Sequence, residues 1–212
     1  MESPFHKLKN IKPILIHEFG HLFGYCLANK SEITFFCKPS KIDLGYHNFI
    51  TPSQKIYHIE NLLSEMKDVF EETKNVKRTI AWFLEVISGC DFETEFEKTN
   101  FSDCFCFNSN CSGSLDFGNL SVIRPLSYFN WTFEDIFDLQ IEYRNLLNQF
   151  GIYEKIKIIV EDFLKVNGQK DFYIIENIEL DKYENELSKY ISEEMYSSYL
   201  KLILTLEKKL IP

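Results

Sequence analysis

The spacing of apolar residues along the chain predicts a protein built mainly from helices. Nearly every residue from Ile14 to Ala28 is apolar, and Pro13 suits the first turn of a helix, where its missing N–H is not needed. Thr132 is a good helix N-cap, and Gly151 is a good left-handed residue at a helix end. Helical periodicity recurs in five later segments: 53–72, 76–88, 132–150, 153–166 and 181–210.

Other segments have no helical period. Residues 32–39 and 42–50 are rich in β-branched and aromatic residues on either side of a turn at 38–41, which predicts a hairpin or two sheet edges. Residues 101–120, rich in Cys, Ser, Asn and Gly, are predicted to be an insertion, and the polar residues 1–10 a flexible arm. The predicted fold is a single domain over residues 1–212, mainly α with a small β element, in which 153–212 form C-terminal helices.

Composition narrows the class of protein. The 212 residues are 45% hydrophobic and 16% aromatic, enough for a substantial core. The formal charge of −9, from 23 basic and 32 acidic residues, argues against nucleic acid as a partner. No apolar stretch approaches the ~20 residues of a membrane span, and the chain start lacks a signal-peptide core. We therefore expect a cytoplasmic protein that binds neither nucleic acid nor membrane.

The six cysteines were considered as disulfides and as metal ligands. Without a secretory signal their even number does not indicate disulfides, so reduced thiols are expected. Cys104, Cys106 and Cys111 are close enough in sequence to chelate a metal. Their spacing nevertheless differs from the paired C-x2-C arrangement of structural zinc sites.

The strongest chemical signal is the H-E-x-x-H sequence formed by His17, Glu18 and His21. Residues at i and i+4 share one helical face, so both imidazoles can bind one metal ion, with Glu18 beside the open coordination position. Zinc lowers the pKa of a bound water to about 7, and a neighbouring carboxylate can accept its proton. The motif therefore predicts a catalytic zinc ion, with Glu18 as general base in amide hydrolysis.

A third ligand is needed to complete such a site. Metzincins place a third histidine after the motif glycine, and this chain has Gly24 at the glycine position but Leu27 at the histidine position. The ligand must then come from elsewhere in the chain. The candidates are Glu60, Glu85, His47, His58, Asp135 and Asp138.

Several segments together resemble the peptidase domain of FtsH-type ATP-dependent zinc metalloproteases. Residues 16–21, Ile-His-Glu-Phe-Gly-His, are similar to the motif of that family, including the glycine before the second histidine. Residues 32–39 and 44–46 resemble its following strand and leucine-glycine turn, and 88–93 stand where it has a G-G-R-x-A-E segment, here without the arginine. Residues 134–144 and 149–152 resemble its N-D-L helix and closing turn.

The resemblance implies a zincin-like helical metallopeptidase domain with Asp135 as the third zinc ligand, although the gap from His21 is longer than that family shows. Residues 101–120 would supply the excess. The alternative role for Asp135 is a capping box with Thr132. Glu85 is the second candidate ligand, as in gluzincin-like sites, and Glu142 could orient a ligating histidine.

The predicted function is zinc-dependent peptide-bond hydrolysis by a stand-alone enzyme. The chain has no phosphate-binding loop of the G-x-x-x-x-G-K-[ST] type and no membrane anchor, so the substrate would be a peptide or an unstructured protein. The alternative is a catalytically inactive relative that serves as an interaction module, against which the intact Glu18 counts. The amphipathic segment 181–210 is compatible with packing within the chain, across a homo-oligomer or on a partner protein.

Overall fold

The computed structural model describes residues 11–30, 41–46, 52–56, 76–106, 112–114, 116–118, 132–168 and 173–210. These residues are mostly helical, as predicted. The helices are α1 Lys12–Ala28, α2 Val76–Glu97, α3 Phe101–Cys104, α4 Phe133–Gln149, α5 Ile152–Asn167, α6 Asn177–Ser188 and α7 Glu193–Leu210. The strands are β1 Lys41–Tyr46, β2 Pro52–Ile56 and β3 Tyr173–Glu176.

Helix α1 is the centre of the described structure, because every residue from Ile14 to Ala28 is buried. It packs most extensively on α2, and also on α5 and α6. Two glycines allow this close crossing. A Cβ atom on Gly20 would lie 2.9 Å from the Ser88 carbonyl oxygen, and one on Gly24 would lie 2.7 Å from Ser88 Oγ. The glycine before the second motif histidine therefore has a packing role, which is to bring the backbone of α2 against α1.

Helix α2 is longer than predicted. The periodicity predicted an end at Ser88, next to Gly89, but the helix continues to Glu97. Glycine in a helix interior costs about 1 kcal/mol relative to alanine, which made Gly89 look like a terminus. Tertiary contact explains its position, since a Cβ atom there would lie 2.3 Å from His21 Nε2. The extension places Cys90 and Glu93 on a helix beside the motif.

Buried hydrogen bonds join α2 to α4 and α5 through Asp91. Its carboxylate accepts from Gln140 Nε2 at 2.5 Å, from Arg144 Nε at 2.9 Å and from the Tyr153 hydroxyl. Arg144 also donates to Thr94 Oγ1 at 2.9 Å. A buried carboxylate with several donors is strongly oriented, so this network holds the second half of α2 in place.

The predicted boundaries of α4 and α5 are confirmed. Thr132 caps α4, and Gly151 adopts a left-handed conformation with φ of 61° before α5 begins. The predicted stretch 181–210 is divided, however, between α6 and α7 at residues 189–192. The backbone N–H of Tyr190 bonds to Leu187 O, which ends α6, and Ser192 Oγ accepts from Met195 N at 3.1 Å, which starts α7.

The small β element is a three-stranded antiparallel sheet in the order β2-β1-β3. Strand β1 confirms extended structure within 42–50, while 32–39 lie outside the described residues. The helix predicted from Ser53 is wrong at its start, because residues 52–56 form β2, in which Ile56 pairs with Ile42 of β1. The rest of that segment, 57–72, lies outside the described residues. Strand β3 was not predicted, since four residues carry little periodicity.

The insertion predicted at 101–120 is partly ordered as helix. Residues 101–104 form α3, residues 116–118 form a helical turn, and Phe101, Cys104 and Phe105 are buried in the hydrophobic core. The predicted arm, 1–10, lies outside the described residues. Within the described part of the chain, no helix has the length and apolar character that crossing a membrane requires.

Candidate metal centre

Three ligand atoms from different parts of the chain converge in the core. His17 Nε2 lies 3.0 Å from His21 Nε2 and 3.1 Å from Asp116 Oδ2, and His21 Nε2 lies 3.4 Å from Asp116 Oδ2. All three residues are buried, with 0%, 6% and 2% of their surface exposed. The histidines come from adjacent turns of α1, and Asp116 from the helical turn 116–118. These residues could hold a metal ion.

Neighbouring acceptors orient both imidazole rings. His17 Nδ1 lies 2.8 Å from Glu93 Oε2, and His21 Nδ1 lies 3.0 Å from the Glu85 carbonyl oxygen. Each acceptor requires an N–H, so each Nδ1 carries a proton, and in a neutral ring the lone pair is then on Nε2. Metal-binding histidines are typically held in this way by a carboxylate or a backbone carbonyl.

The arrangement requires positive charge at its centre. Two imidazole lone pairs and a carboxylate oxygen repel one another unless a proton or a metal cation lies among them. Burial by itself would lower the pKa of His17 and His21, but the Asp116 carboxylate raises the pKa of both above the ordinary value. Tetrahedral ligands at metal–ligand distances of about 2.0–2.1 Å are about 3.3 Å apart, so the observed separations are compatible with a bound metal ion.

Glu18 lies beside this group and is 1% exposed. Both of its carboxylate oxygens are buried without a hydrogen-bond partner among the described residues. Burial raises the pKa of Glu18 to about 7, although the positive charges of His17 and His21 lower it. A carboxylate poised near neutral pH is suited to accept and return a proton.

The structure does not bring Asp135, the ligand implied by the FtsH resemblance, to the histidine pair. Asp135 forms the capping box of α4 instead. Its Oδ2 accepts from the backbone N–H of Thr132 at 2.6 Å and from Thr132 Oγ1 at 2.7 Å. Neither of the two ligand groups found among the described residues contains Asp135, and the group with both histidines contains Asp116. The capping role, which was the alternative for Asp135, is the one observed.

The other proposed ligands are also placed elsewhere or are not described. Glu85 contributes its backbone carbonyl to His21, and Asp138 is exposed on α4. Glu142, proposed to orient a histidine, accepts from Lys209 Nζ at 2.5 Å. Glu93 holds His17 instead. The remaining candidates, Glu60, His47 and His58, lie outside the described residues.

Asp116 was missed because it lies in a segment interpreted as a loop. One signal could have indicated it: the carboxylate stands between two large apolar residues, Leu115 and Phe117. An acidic residue with apolar neighbours is often drawn into the interior, where it needs a cationic partner. Burial would raise the pKa of Asp116, but the imidazoles facing it lower the pKa below its ordinary value.

The cysteines near the site are of two kinds. Cys90 and Cys104 are buried thiols outside any disulfide, and so is Cys26 on α1. Cys106 is disulfide-bonded, so the prediction of reduced thiols is wrong at that position. The hydrogen bond from Cys90 lowers the pKa of Cys104 to about 7 in spite of burial.

No family model, curated protein or solved structure matches the chain. The resemblance to FtsH-type peptidases therefore has no support beyond the sequence segments that carry it.

Gly89→Ala is expected to weaken zinc binding by an order of magnitude or more, with every ligand atom still present. The added Cβ atom would lie 2.3 Å from His21 Nε2 and 2.5 Å from His17 Nε2, so the rings must move apart. Competition titration with a chromophoric chelator measures the affinity. Gly118→Ala is the matched control, because its Cβ atom would meet nothing within 4 Å. Unchanged affinity in Gly89→Ala would contradict the described approach of α2 to the histidines.

Proposed function

We propose that this chain is a zinc-dependent hydrolase of peptide bonds, in which His17, His21 and Asp116 hold the metal and Glu18 transfers the proton. The observation that supports this most is the convergence of three ligand atoms, 3.0–3.4 Å apart, beside a carboxylate without a hydrogen-bond partner among the described residues. Two histidines and a carboxylate are a known catalytic zinc ligand set.

The residues around the metal have separate tasks. Glu93 and the Glu85 carbonyl keep the imidazoles in the tautomer that presents Nε2. A bound zinc ion supplies Lewis acidity, which polarises the substrate carbonyl and lowers the pKa of water to about 7. Glu18 accepts the proton of the attacking water and returns it to the leaving amine nitrogen. Burial raises the pKa of Glu18 above its ordinary value, which favours proton uptake by its carboxylate.

The burial of the site restricts the substrate. His17, Glu18, His21 and Asp116 are all at most 6% exposed, so a rigid folded protein surface cannot reach them. A flexible peptide or an unstructured protein segment is the class of substrate that can thread to such a position. Peptide hydrolysis is therefore proposed for chains without stable structure.

The same burial favours a second candidate, a metal-stabilised interaction module without catalysis. Structural zinc sites are closed, whereas catalytic sites keep a position for water and substrate. Casein hydrolysis distinguishes the two candidates at equal zinc content: turnover that ceases on chelation supports the hydrolase, and zinc binding without turnover supports the module.

Zinc is expected to stabilise the fold. At a free zinc concentration a thousand times the Kd, binding contributes about 4 kcal/mol to the free energy of unfolding, or roughly 10 °C in melting temperature for a chain of this size. Calorimetry before and after dialysis against a chelator measures the difference. His17→Ala should show little of it. Elemental analysis without zinc, together with an unchanged melting temperature on zinc addition, would contradict the site.

A further inference from the structure

A second group of ligand atoms overlaps the first at His17. It comprises a nitrogen of His17 and the sulfur atoms of Cys90 and Cys104, all within 4.8 Å of one another and all buried. Cys90 belongs to α2, and Cys104 ends α3. Neither thiol has a task in the proposed hydrolysis. The proximity of two thiols and an imidazole, which come from three separate elements, therefore requires an explanation other than the proposed hydrolysis.

The surroundings of the thiols are built closely around them. A Cβ atom on Gly113 would lie 2.0 Å from Cys90 Sγ, so only glycine allows the backbone to pass over that sulfur. Glu93 Oε2 lies 3.4 Å from Cys104 Sγ and 2.8 Å from His17 Nδ1. The carboxylate thus places negative charge and an oxygen ligand atom beside Cys104 Sγ. Both favour a cation at this position.

We propose that His17, Cys90 and Cys104 form a second cation position, for a thiophilic divalent ion such as cadmium or zinc. It is an alternative to the first position, because a neutral His17 has only one nitrogen lone pair to share. Two cysteines and one histidine are a known zinc ligand set, and thiolates select soft ions. Metal–sulfur bonds of about 2.3 Å place the ligand atoms of one ion within about 4 Å of each other, and the three atoms here lie within 4.8 Å of one another. On binding, each thiol transfers its proton to solvent as its sulfur bonds to the metal.

The wild-type protein provides the first test, in buffer without thiol reductant. Cadmium is added as the probe, and thiolate-to-cadmium absorption in the ultraviolet is recorded together with the cadmium-113 NMR spectrum. We expect the charge-transfer absorption and a cadmium resonance in the range of sulfur ligation. A spectrum with nitrogen and oxygen ligation alone, or without bound cadmium, would overturn the proposal.

Variants separate this position from the proposed catalytic one. The double variant His21→Ala/Asp116→Asn removes two ligands of the first group and should retain the thiolate absorption. Cys90→Ser/Cys104→Ser should lose it and still gain melting temperature with zinc. Cys26→Ser is the control, because Cys26 is a buried thiol on α1 that is not disulfide-bonded and belongs to neither group.

Each result distinguishes the two proposals. Thiolate absorption that persists in Cys90→Ser/Cys104→Ser would overturn the second position without affecting the first. Loss of the thiolate absorption in His21→Ala/Asp116→Asn would also overturn the second position, provided that circular dichroism shows an intact fold. Failure of the proposed hydrolase would leave the cadmium signal of the wild-type protein unchanged.

Discussion

Asp116→Asn is expected to lower the affinity for zinc by about 100-fold or more and to abolish zinc-dependent hydrolysis. The amide keeps the size of the side chain but loses the negative charge that balances the buried cation. It also loses the carboxylate oxygen that faces His17 Nε2 at 3.1 Å and His21 Nε2 at 3.4 Å. Chelator competition at neutral pH gives the affinity, and the metal-free melting temperature shows whether the fold is retained.

Asp135→Asn is the matched control, because asparagine caps a helix about as well as aspartate. It should bind zinc like the parent and keep its activity, since Asp135 bonds to Thr132 rather than to the histidines. The two substitutions make the same chemical change at the two candidate third ligands. Loss of zinc in Asp135→Asn with full binding in Asp116→Asn would restore the FtsH-type ligand set and contradict the position of Asp116.

Glu18→Gln is expected to retain zinc and to reduce kcat/KM for a peptide substrate by about 10²–10⁴-fold, the usual contribution of general acid–base catalysis. Glutamine fills the same buried space but cannot accept a proton from water. Elemental analysis gives the zinc content, and a fluorogenic peptide or casein gives the rate. A glutamine variant with parental turnover would show that Glu18 is not the proton acceptor.

Glu85→Gln is the control for the effect of replacing a buried carboxyl group by an amide. Glu85 is 5% exposed, and burial raises the pKa of its carboxyl to about 8, so it shares the environment of Glu18. Its backbone carbonyl contacts His21 Nδ1, and the substitution leaves that carbonyl in place. Activity should therefore be close to parental. Equal loss of activity in both variants would point to a general effect of buried carboxyl groups rather than to catalysis by Glu18.

Local features of the chain were predictable from the sequence. The apolar run around His17 and His21 indicated a buried helix, and the i and i+4 spacing placed both imidazoles on one face, since that relation depends only on helical geometry. Thr132 and Gly151 marked the limits of α4 because capping and left-handed conformations are properties of single residues. The H-E-x-x-H motif, including Glu18, could also be recognised without information on distant contacts.

Each pairing between distant segments could be identified only from the tertiary structure. Asp116 approaches His17 across 99 positions of the chain, and no local period connects them. Gly89 resembles a helix end in the sequence, but it lies inside α2, where an added Cβ atom would be 2.3 Å from His21 Nε2. Residues 52–56 form a strand because they pair with β1. The hydrogen bonds of this pairing outweigh the weak intrinsic preference of these residues for any one secondary structure. Sequence thus determined the helix that carries both histidines and the carboxylate proposed to accept the proton. The proposed third ligand, the residues that orient the imidazoles and the thiol group depend on long-range packing.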